Sequence, residues 1–327
     1  MIEVIDCSVL YGSDAWARDN RPDLAHHVDA AIWQAHRNRA AAAGIRLTGA
    51  AIMPFPAADR SGSDTGPAFD AENDIVITAA TSARQDGAGL RAVCAVVPGD
   101  AASVEALARR LADGAPVMGV KLWPYLGRFD LDALVSDTEL LRLVRDHRLA
   151  VFMHPGNGRE AHHRPGFAGI RATPDVAIAV AEALPDVTCV IGHVARLCPD
   201  TLARAGRLTS VFIDLSGLTS LGRWREGGVD GLPVAGGAVF AGMTPAHILA
   251  RLTDGIPGDE VPGMGLGGRL LFGTTWPFCT WWGIDLADDV AMVTRAPVSA
   301  ATRDGILRDN ARALFARCGA PTATVPA

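Results

Sequence analysis

Two kinds of segment alternate along the chain. Short apolar runs rich in β-branched residues, bounded by turn residues, are separated by longer alanine- and leucine-rich segments with helical spacing of apolar positions. Eight of the apolar runs are predicted strands, at 3–7, 46–53, 91–97, 117–123, 149–154, 188–193, 210–215 and 269–274. Since this alternation is typical of βαβ units, and eight parallel strands close a barrel, the pattern predicts an α/β fold of the (β/α)8 TIM-barrel type.

Helices are predicted between these strands, at 24–43, 101–112, 138–147, 174–184 and 301–318. Two long irregular stretches, 54–70 and 216–245, follow predicted strands. They are expected on the C-terminal face, where barrel enzymes build their active sites. The pattern thus predicts one barrel domain over 1–319 and a frayed tail at 320–327.

Composition excludes several classes of function. The chain has 327 residues, 49% of them hydrophobic, which suffices for a large single core. A formal net charge of −6 offers no basic surface for nucleic acid. No secretory leader pattern and no uncharged run of membrane-spanning length is present, so we expect a cytoplasmic protein without a membrane partner. The six isolated cysteines, with no C-x-x-C pair, predict neither a disulfide framework nor a structural zinc site.

Lys121 is the single lysine among the 30 lysine and arginine residues. Lysine can lose its proton, form an imine or a carbamate and fit a narrow site, whereas arginine stays charged. Lys121 therefore either serves a purpose that arginine cannot serve or stands by chance at a tolerant position.

Chemically capable residues fall at the predicted strand ends, which is where barrel active sites form. We expect His154, His193 and Lys121 to be catalytic. The expected substrate-binding residues are Ser8, Trp123, Asp214, Thr275 and Trp276. Trp281 and Trp282 could join Trp123 and Trp276 in an aromatic wall for a flat or hydrophobic substrate. Packing under loops is the alternative for each of these four tryptophans. The paired histidines at 26–27 and 162–163 are interpreted mainly as structural or surface residues.

Six short motifs occur in order along the chain. They are GVKLWP at 119–124, VFMHPG at 151–156, VIGH at 190–193, FIDLSG at 212–217, LFGTTWP at 271–277 and DNARALF at 309–315. Together they resemble the amidohydrolase-2 branch of the amidohydrolase superfamily, which includes lactonases and decarboxylases such as aminocarboxymuconate-semialdehyde decarboxylase. The likeness covers nearly the whole chain.

The resemblance implies a divalent metal held by a His-x-His pair after strand one, a histidine after strand five and an aspartate after strand eight. A histidine after strand six would assist. In this sequence Ser8, Leu10 and Thr275 stand at three of these positions, and only His154 and His193 match.

Zinc needs about three protein ligands even in an open catalytic site. We therefore expect no metal or other cofactor. Zinc or another divalent ion is an alternative only with substituted ligands, drawn from Asp6, Cys7, Asp214 and Cys279. Lys121 has three possible roles, which are substrate binding, proton transfer and a covalent role. The last includes the carbamylation that the resemblance implies for a strand-four lysine in binuclear relatives.

The sequence leaves three functions open. The first is an enzyme that uses metal-independent acid–base chemistry on a small carboxylated or carbonyl substrate, by hydrolysis, decarboxylation, cyclisation or elimination, in specialised metabolism. The second is a noncatalytic homologue that binds a ligand or a partner protein. The third is a metal-dependent hydrolase with substituted ligands. A homodimer is possible on the resemblance to related barrels.

Overall fold

Eight parallel strands form a barrel in the computed structural model, which describes residues 1–11, 31–54, 69–85, 89–156, 169–220, 237–256, 258, 261–276, 279 and 283–319. Their order in the sheet is β1 to β8, each strand pairing with the next along the chain. The strands are β1 Ile2–Tyr11, β2 Ile45–Pro54, β3 Gly89–Ala95, β4 Val117–Leu122, β5 Ala150–Met153, β6 Cys189–Ile191, β7 Val211–Asp214 and β8 Leu270–Leu271. The predicted TIM barrel and all eight predicted strands are confirmed.

Helices surround the barrel. They are α1 Ala31–Ala42, α2 Asp70–Gln85, α3 Ala101–Ala112, α4 Thr138–Asp146, α5 Pro174–Ala183, α6 Pro199–Gly206, α7 Pro245–Leu252, α8 Leu286–Arg295 and α9, which joins Ala300–Asp304, a π-helical turn Gly305–Asp309 and Asn310–Arg317. Short helical turns lie at Pro124–Gly127, Ala133–Ser136, His193–Leu197, Gly237–Phe240 and Gly267–Arg269. All five predicted helices are present. The start of the first one, most of both predicted loops and the 320–327 tail lie outside the described residues.

Strand residues alternate between two hydrophobic clusters, as the period-2 pleat requires. The larger cluster lies between the barrel and its helices and includes Val120 and Leu122 of β4. The smaller cluster fills the barrel and takes residues from every strand, among them Phe152 and Phe212. Gly119 makes room inside, because a Cβ there would lie 3.0 Å from the Phe152 ring and 2.6 Å from the Ala150 carbonyl oxygen. This alternation turns Lys121, two residues after Gly119, toward the barrel axis.

The seam between β8 and β1 depends on a buried carboxylate. Backbone bonds across it run from Cys7 N to the Phe272 oxygen (2.8 Å) and from Leu10 N to the Trp276 oxygen (2.9 Å). Between them, fully buried Asp6 accepts the Thr274 hydroxyl at 2.6 Å and the Thr274 amide at 3.1 Å. Asp6 also accepts the Ser8 amide at 3.0 Å and lies 3.0 Å from His36 Nε2 on α1. One side chain thus joins β1, the segment after β8 and α1.

The C-terminal helix supports the two-residue strand β8. Its π-helical turn leaves the Ile306 carbonyl free to accept the Phe272 amide at 3.1 Å. Asn310 donates to the carbonyl oxygens of Gly267 and Leu270. Among the described residues, no helix is long and apolar enough to cross a membrane. The six cysteines are free thiols, and all but Cys198 are buried.

Asp6→Asn is expected to destabilise the fold by about 2–4 kcal/mol, because an amide nitrogen then faces a buried donor that has lost its acceptor. Urea unfolding followed by circular dichroism measures this as a lower midpoint with an unchanged slope. The matched control is Asp186→Asn, which removes an exposed ion pair with Arg145 and is expected to change stability by less than about 1 kcal/mol. Equal losses in the two variants would contradict the role given to Asp6.

Candidate active site

Four polar side chains gather where β4 to β7 end. Lys121 comes from β4, His154 follows β5, His193 follows β6 and Asp214 is the last residue of β7. Because parallel strands end at the same face, neighbouring strand ends bring these residues to the mouth of the barrel. The structure thus brings these four predicted residues together, and their roles stay predictions.

A hydrogen-bonded chain connects three of them through Ser216. His154 Nδ1 lies 3.0 Å from His193 Nε2, and His193 Nδ1 lies 3.0 Å from the Ser216 hydroxyl. Ser216 donates its hydroxyl to Asp214 Oδ2 at 2.7 Å and its amide to Asp214 Oδ1 at 2.8 Å. At the other end, Arg196 Nη2 lies 3.5 Å from His154 Nε2.

The donors and acceptors of this chain fix the histidine tautomers. Since Ser216 gives its only hydroxyl proton to Asp214, His193 must donate through Nδ1 and accept at Nε2. His154 then donates through Nδ1, and its Nε2 is the acceptor that faces Arg196. This assignment takes both rings as neutral, in keeping with their lowered pKa values, and each proton in the series then points toward Asp214.

The electrostatics of the pocket agree with this assignment. Burial, followed by the charges of Arg196 and Lys121, holds the pKa of His193 well below its usual range. Burial and the neighbours His193, Arg196 and Lys121 do the same to the pKa of His154. Burial raises the pKa of Asp214 to about 6, although both bonds from Ser216 and the charge of Lys121 oppose the rise. Of the three titratable groups joined by these hydrogen bonds, His154, His193 and Asp214, the pKa of Asp214 lies closest to neutral pH.

A left-handed turn positions Arg196. All five residues of His193–Leu197 have positive φ, between 47° and 54°, although none is glycine. Such backbone costs roughly 1–2 kcal/mol per residue. The turn directs Arg196 back to β5, where its Nε donates to the Pro155 carbonyl oxygen at 2.8 Å. Strained backbone held at a strand end is typical of functional sites.

Lys121 is 4% exposed and lies beside aromatic surface. Its Nζ lies 4.5 Å from the centre of the Trp123 ring, and that ring lies 4.8 Å from the ring of His154. Within the described part of the chain, no carboxylate forms an ion pair with Lys121. Burial lowers the pKa of Lys121 to about 8, with Asp214 opposing the shift and Arg196 adding to it.

Ser8 and Asp214 meet against Gly273. A Cβ at Gly273 would lie 2.2 Å from Asp214 Oδ1 and 3.0 Å from Ser8 Cβ, so a larger residue would displace the carboxylate. Ser8 is buried, and the β1–β2 register shifts between Asp6 and Val9. Ser8 therefore lies beside Asp214, and its contact with substrate stays a prediction.

Thr275 and Trp276 belong to a second polar network around Asp6. Thr275 has a φ of 56° and donates its hydroxyl to the Thr274 carbonyl oxygen. The Trp276 ring stacks on His36 at 4.8 Å and packs in the outer hydrophobic cluster. The structure thus places Trp276 against α1, and its predicted contact with substrate gains no support from this packing. Trp281, Trp282 and the histidines at 26–27 and 162–163 lie outside the described residues.

Three residues that contact the candidate site or its supporting network are not predicted from the sequence. Ser216 stands within the FIDLSG motif, but its role as a bridge between Asp214 and His193 depends on the fold. Arg196 was one of many scattered arginines, and no glycine marks the left-handed turn that orients it. His36 reaches Asp6 across 30 positions of sequence, which a local pattern does not show.

The metal-ligand positions implied by the resemblance carry groups that do not fit a metal. Ser8 and Leu10 are buried at the first two, and Thr275 gives its hydroxyl to a backbone oxygen. Burial raises the pKa values of the Cys7 and Cys279 thiols well above their usual range. In the described ranges, no three histidine, cysteine or acidic residues are arranged to hold an ion.

Comparison with known proteins gives one family. The family model described as amidohydrolase matches residues 14–317. No curated protein sequence matches the chain.

Solved structures share the fold. A probable 2-pyrone-4,6-dicarboxylic acid hydrolase from Acinetobacter baumannii, with citric acid bound, has a TM-score of 0.58 at 14% identity, covering 96% of this chain and 99% of that one. The 2,6-dihydroxybenzoate decarboxylase from Rhizobium has a TM-score of 0.58 at 17% identity, with coverages of 97% and 99%. A 5-carboxyvanillate decarboxylase from Novosphingobium aromaticivorans, complexed with manganese, has a TM-score of 0.56 at 14% identity, with both coverages at 96%.

Lys121→Met is expected to stabilise the protein at pH 7, because the variant removes a charge that burial disfavours. Between pH 8 and the ordinary value of 10.5 the unfolded chain holds more protons than the folded one, so wild-type stability rises with pH there. Below pH 8 the free energy of unfolding of Lys121→Met should therefore exceed that of the wild type by up to about 3 kcal/mol. Above pH 10.5 this difference should vanish.

Urea unfolding at pH 7 and at pH 10.5 measures this difference. Arg37→Met, at an exposed position of α1, is the control and is expected to change stability by less than about 0.5 kcal/mol. A gain that did not shrink with rising pH would contradict the assignment of a buried, poorly compensated charge to Lys121.

Proposed function

The chain belongs to the amidohydrolase family, and on that premise we propose that it is an enzyme using metal-independent acid–base chemistry on a small carboxylated or carbonyl compound. The reaction class is that of the family's hydrolases and carbon–carbon lyases. His154 exchanges the proton with substrate, His193 and Ser216 relay it, and Asp214 receives it.

The hydrogen-bonded chain from His154 to Asp214 carries this proposal. With Asp214 ionised, every proton of the chain points toward the carboxylate and His154 Nε2 accepts a proton. With Asp214 protonated, the same chain runs in reverse and His154 Nε2 donates. One ring nitrogen therefore serves as base and as acid, and the pKa of Asp214, about 6, allows both states near neutral pH.

The ligand positions support chemistry without a metal. Serine, leucine and threonine side chains replace three of the four ligands that the family pattern implies, and leucine has no donor atom. The two histidines that remain bond to each other through Nδ1 and Nε2, which occupies one nitrogen of each ring. This arrangement favours proton transfer between the rings.

The charges of the pocket favour an electron-rich substrate. Lys121 and Arg196 both lie close enough to lower the pKa values of His154 and His193. Among the described residues, Asp214 is the negative group that acts on Lys121. A substrate carboxylate or a polarised carbonyl oxygen beside Lys121 would add further negative charge there. Trp123 offers a flat apolar surface next to this position.

The turnover rate is expected to rise with pH around an apparent pKa of about 6, because His154 accepts a proton only while Asp214 is ionised. Turnover should be lost as the pH falls through this value. Assays from pH 4.5 to 8 on a panel of small aromatic and 3-oxo carboxylic acids measure the profile. A flat profile for a turned-over compound would contradict the relay.

His154→Ala is expected to lower turnover by about 10²–10⁴-fold, because it removes the group that meets the substrate. His247→Ala, at an exposed helix position, is the control and should keep wild-type turnover. Thermal unfolding of both variants separates loss of chemistry from loss of fold. Wild-type turnover in His154→Ala would remove this residue from the mechanism.

Chelation is expected to leave turnover unchanged. Elemental analysis of protein purified without chelator should find much less than one metal ion per chain, and incubation with zinc or manganese should not raise the rate. Near-stoichiometric metal whose removal abolishes turnover would overturn the metal-independent proposal.

A further inference from the structure

The position of Lys121 demands an explanation beyond charge. It is the single lysine of the chain, so arginine supplies the other 29 of the 30 lysine and arginine residues. Arginine would bind a substrate carboxylate at least as well, through two parallel hydrogen bonds. Lysine differs in that it can become a neutral amine and attack an electrophile.

The surroundings of Nζ favour the neutral amine. Lys121 faces the barrel interior, with Ala95 and Phe152 opposite it on the adjacent strands. The Trp123 ring lies 4.5 Å from Nζ. Arg196, held nearby by the left-handed turn, adds a positive charge that disfavours a second cation. Asp214 is the acidic group that acts on Lys121. Its two oxygens accept hydrogen bonds from Ser216, and it forms no ion pair with Lys121.

A proton shuttle lies next to this amine. The Trp123 ring is in contact with both Lys121 and His154, at 4.5 and 4.8 Å, so the amine and the relay flank the same indole. Because Nζ and the His154 ring both contact this one side chain, a carbonyl compound bound at Nζ would lie near the His154 ring. Amine addition and proton transfer are thus available in one place.

We propose that Lys121 is a covalent catalytic residue that forms an imine with an aldehyde or ketone substrate. The Nζ lone pair adds to the carbonyl carbon, and His154 carries protons from nitrogen to oxygen. Water leaves with the carbonyl oxygen and both N–H protons, and a C=N bond replaces the C=O bond. The step needs no oxidant or reductant. The inference deepens the proposed function by narrowing the substrate class from carboxylated or carbonyl compounds to carbonyl compounds.

Reductive trapping tests the imine directly. Native protein is incubated with glyoxylate and sodium cyanoborohydride at pH 7, and peptide mapping by mass spectrometry locates the added carboxymethyl group. Lys121 is the single lysine of this sequence, so label on a lysine side chain is assigned to it, and the Met1 α-amine of protein expressed from this sequence serves as the internal reference. Lys121 should carry at least about tenfold more label than Met1. In urea the order should reverse, roughly a hundredfold in favour of Met1, because an ordinary lysine is far less deprotonated than an α-amine.

Two variants control for accessibility and for charge. Arg37→Lys adds an exposed lysine on α1, which should take up label much more slowly than Lys121 in the same native sample. Lys121→Arg keeps a cation but cannot form an imine, so it should show no label in the pocket and no turnover. Label confined to Met1, or turnover retained by Lys121→Arg, would overturn the imine. If His154→Ala still lost turnover in that case, the relay would stand without it, and the two proposals fail separately.

Discussion

The buried carboxylate of Asp6 joins the first strand of the barrel to the segment after the last. It holds Thr274 by both amide and hydroxyl, while His36 ties the same group to α1. A barrel whose eighth strand has two residues needs such a bond, because few ladder hydrogen bonds are available at that seam. We expect the position of Asp214, which lies next to Gly273 at this seam, to depend most directly on these bonds.

Gly273 separates the network around Asp6 from the hydrogen bonds around Asp214. On one side, the Asp6 carboxylate accepts hydrogen bonds from β1 and from the segment after β8 and contacts His36 on α1. On the other side, the Asp214 carboxylate accepts hydrogen bonds from Ser216. The absence of a side chain at Gly273 lets Asp214 and Ser8 approach closely. The region in which the family pattern places a metal is therefore divided between the seam around Asp6 and the hydrogen bonds that connect His154 to Asp214.

The fold was predictable because each strand follows a local period and each strand end a local turn, so one sequence suffices to place them. Lys121, His154, His193 and Asp214 were predictable because parallel strands bring their ends together. Ser216, Arg196 and His36 were not, because their roles depend on a left-handed turn without glycine and on contacts between distant segments. The role of Trp276 stays a prediction, since a strand end alone does not tell which way a side chain packs and its ring stacks on His36.

A protein that had lost its chemistry and kept only its fold would have little reason to keep two of these features. The left-handed turn at His193–Leu197 opposes the backbone preference of five residues, and a buried lysine without an ion pair among the described residues opposes folding below pH 8. Glycine substitutions would relieve the cost of the left-handed backbone. An apolar residue of similar length would relieve the cost of burying Lys121. Stability of a typical domain is only about 5–15 kcal/mol, so unneeded costs of this kind are exposed to selection. Their coincidence at one strand-end pocket, each acting on the same two histidines, argues for an enzyme over a noncatalytic homologue.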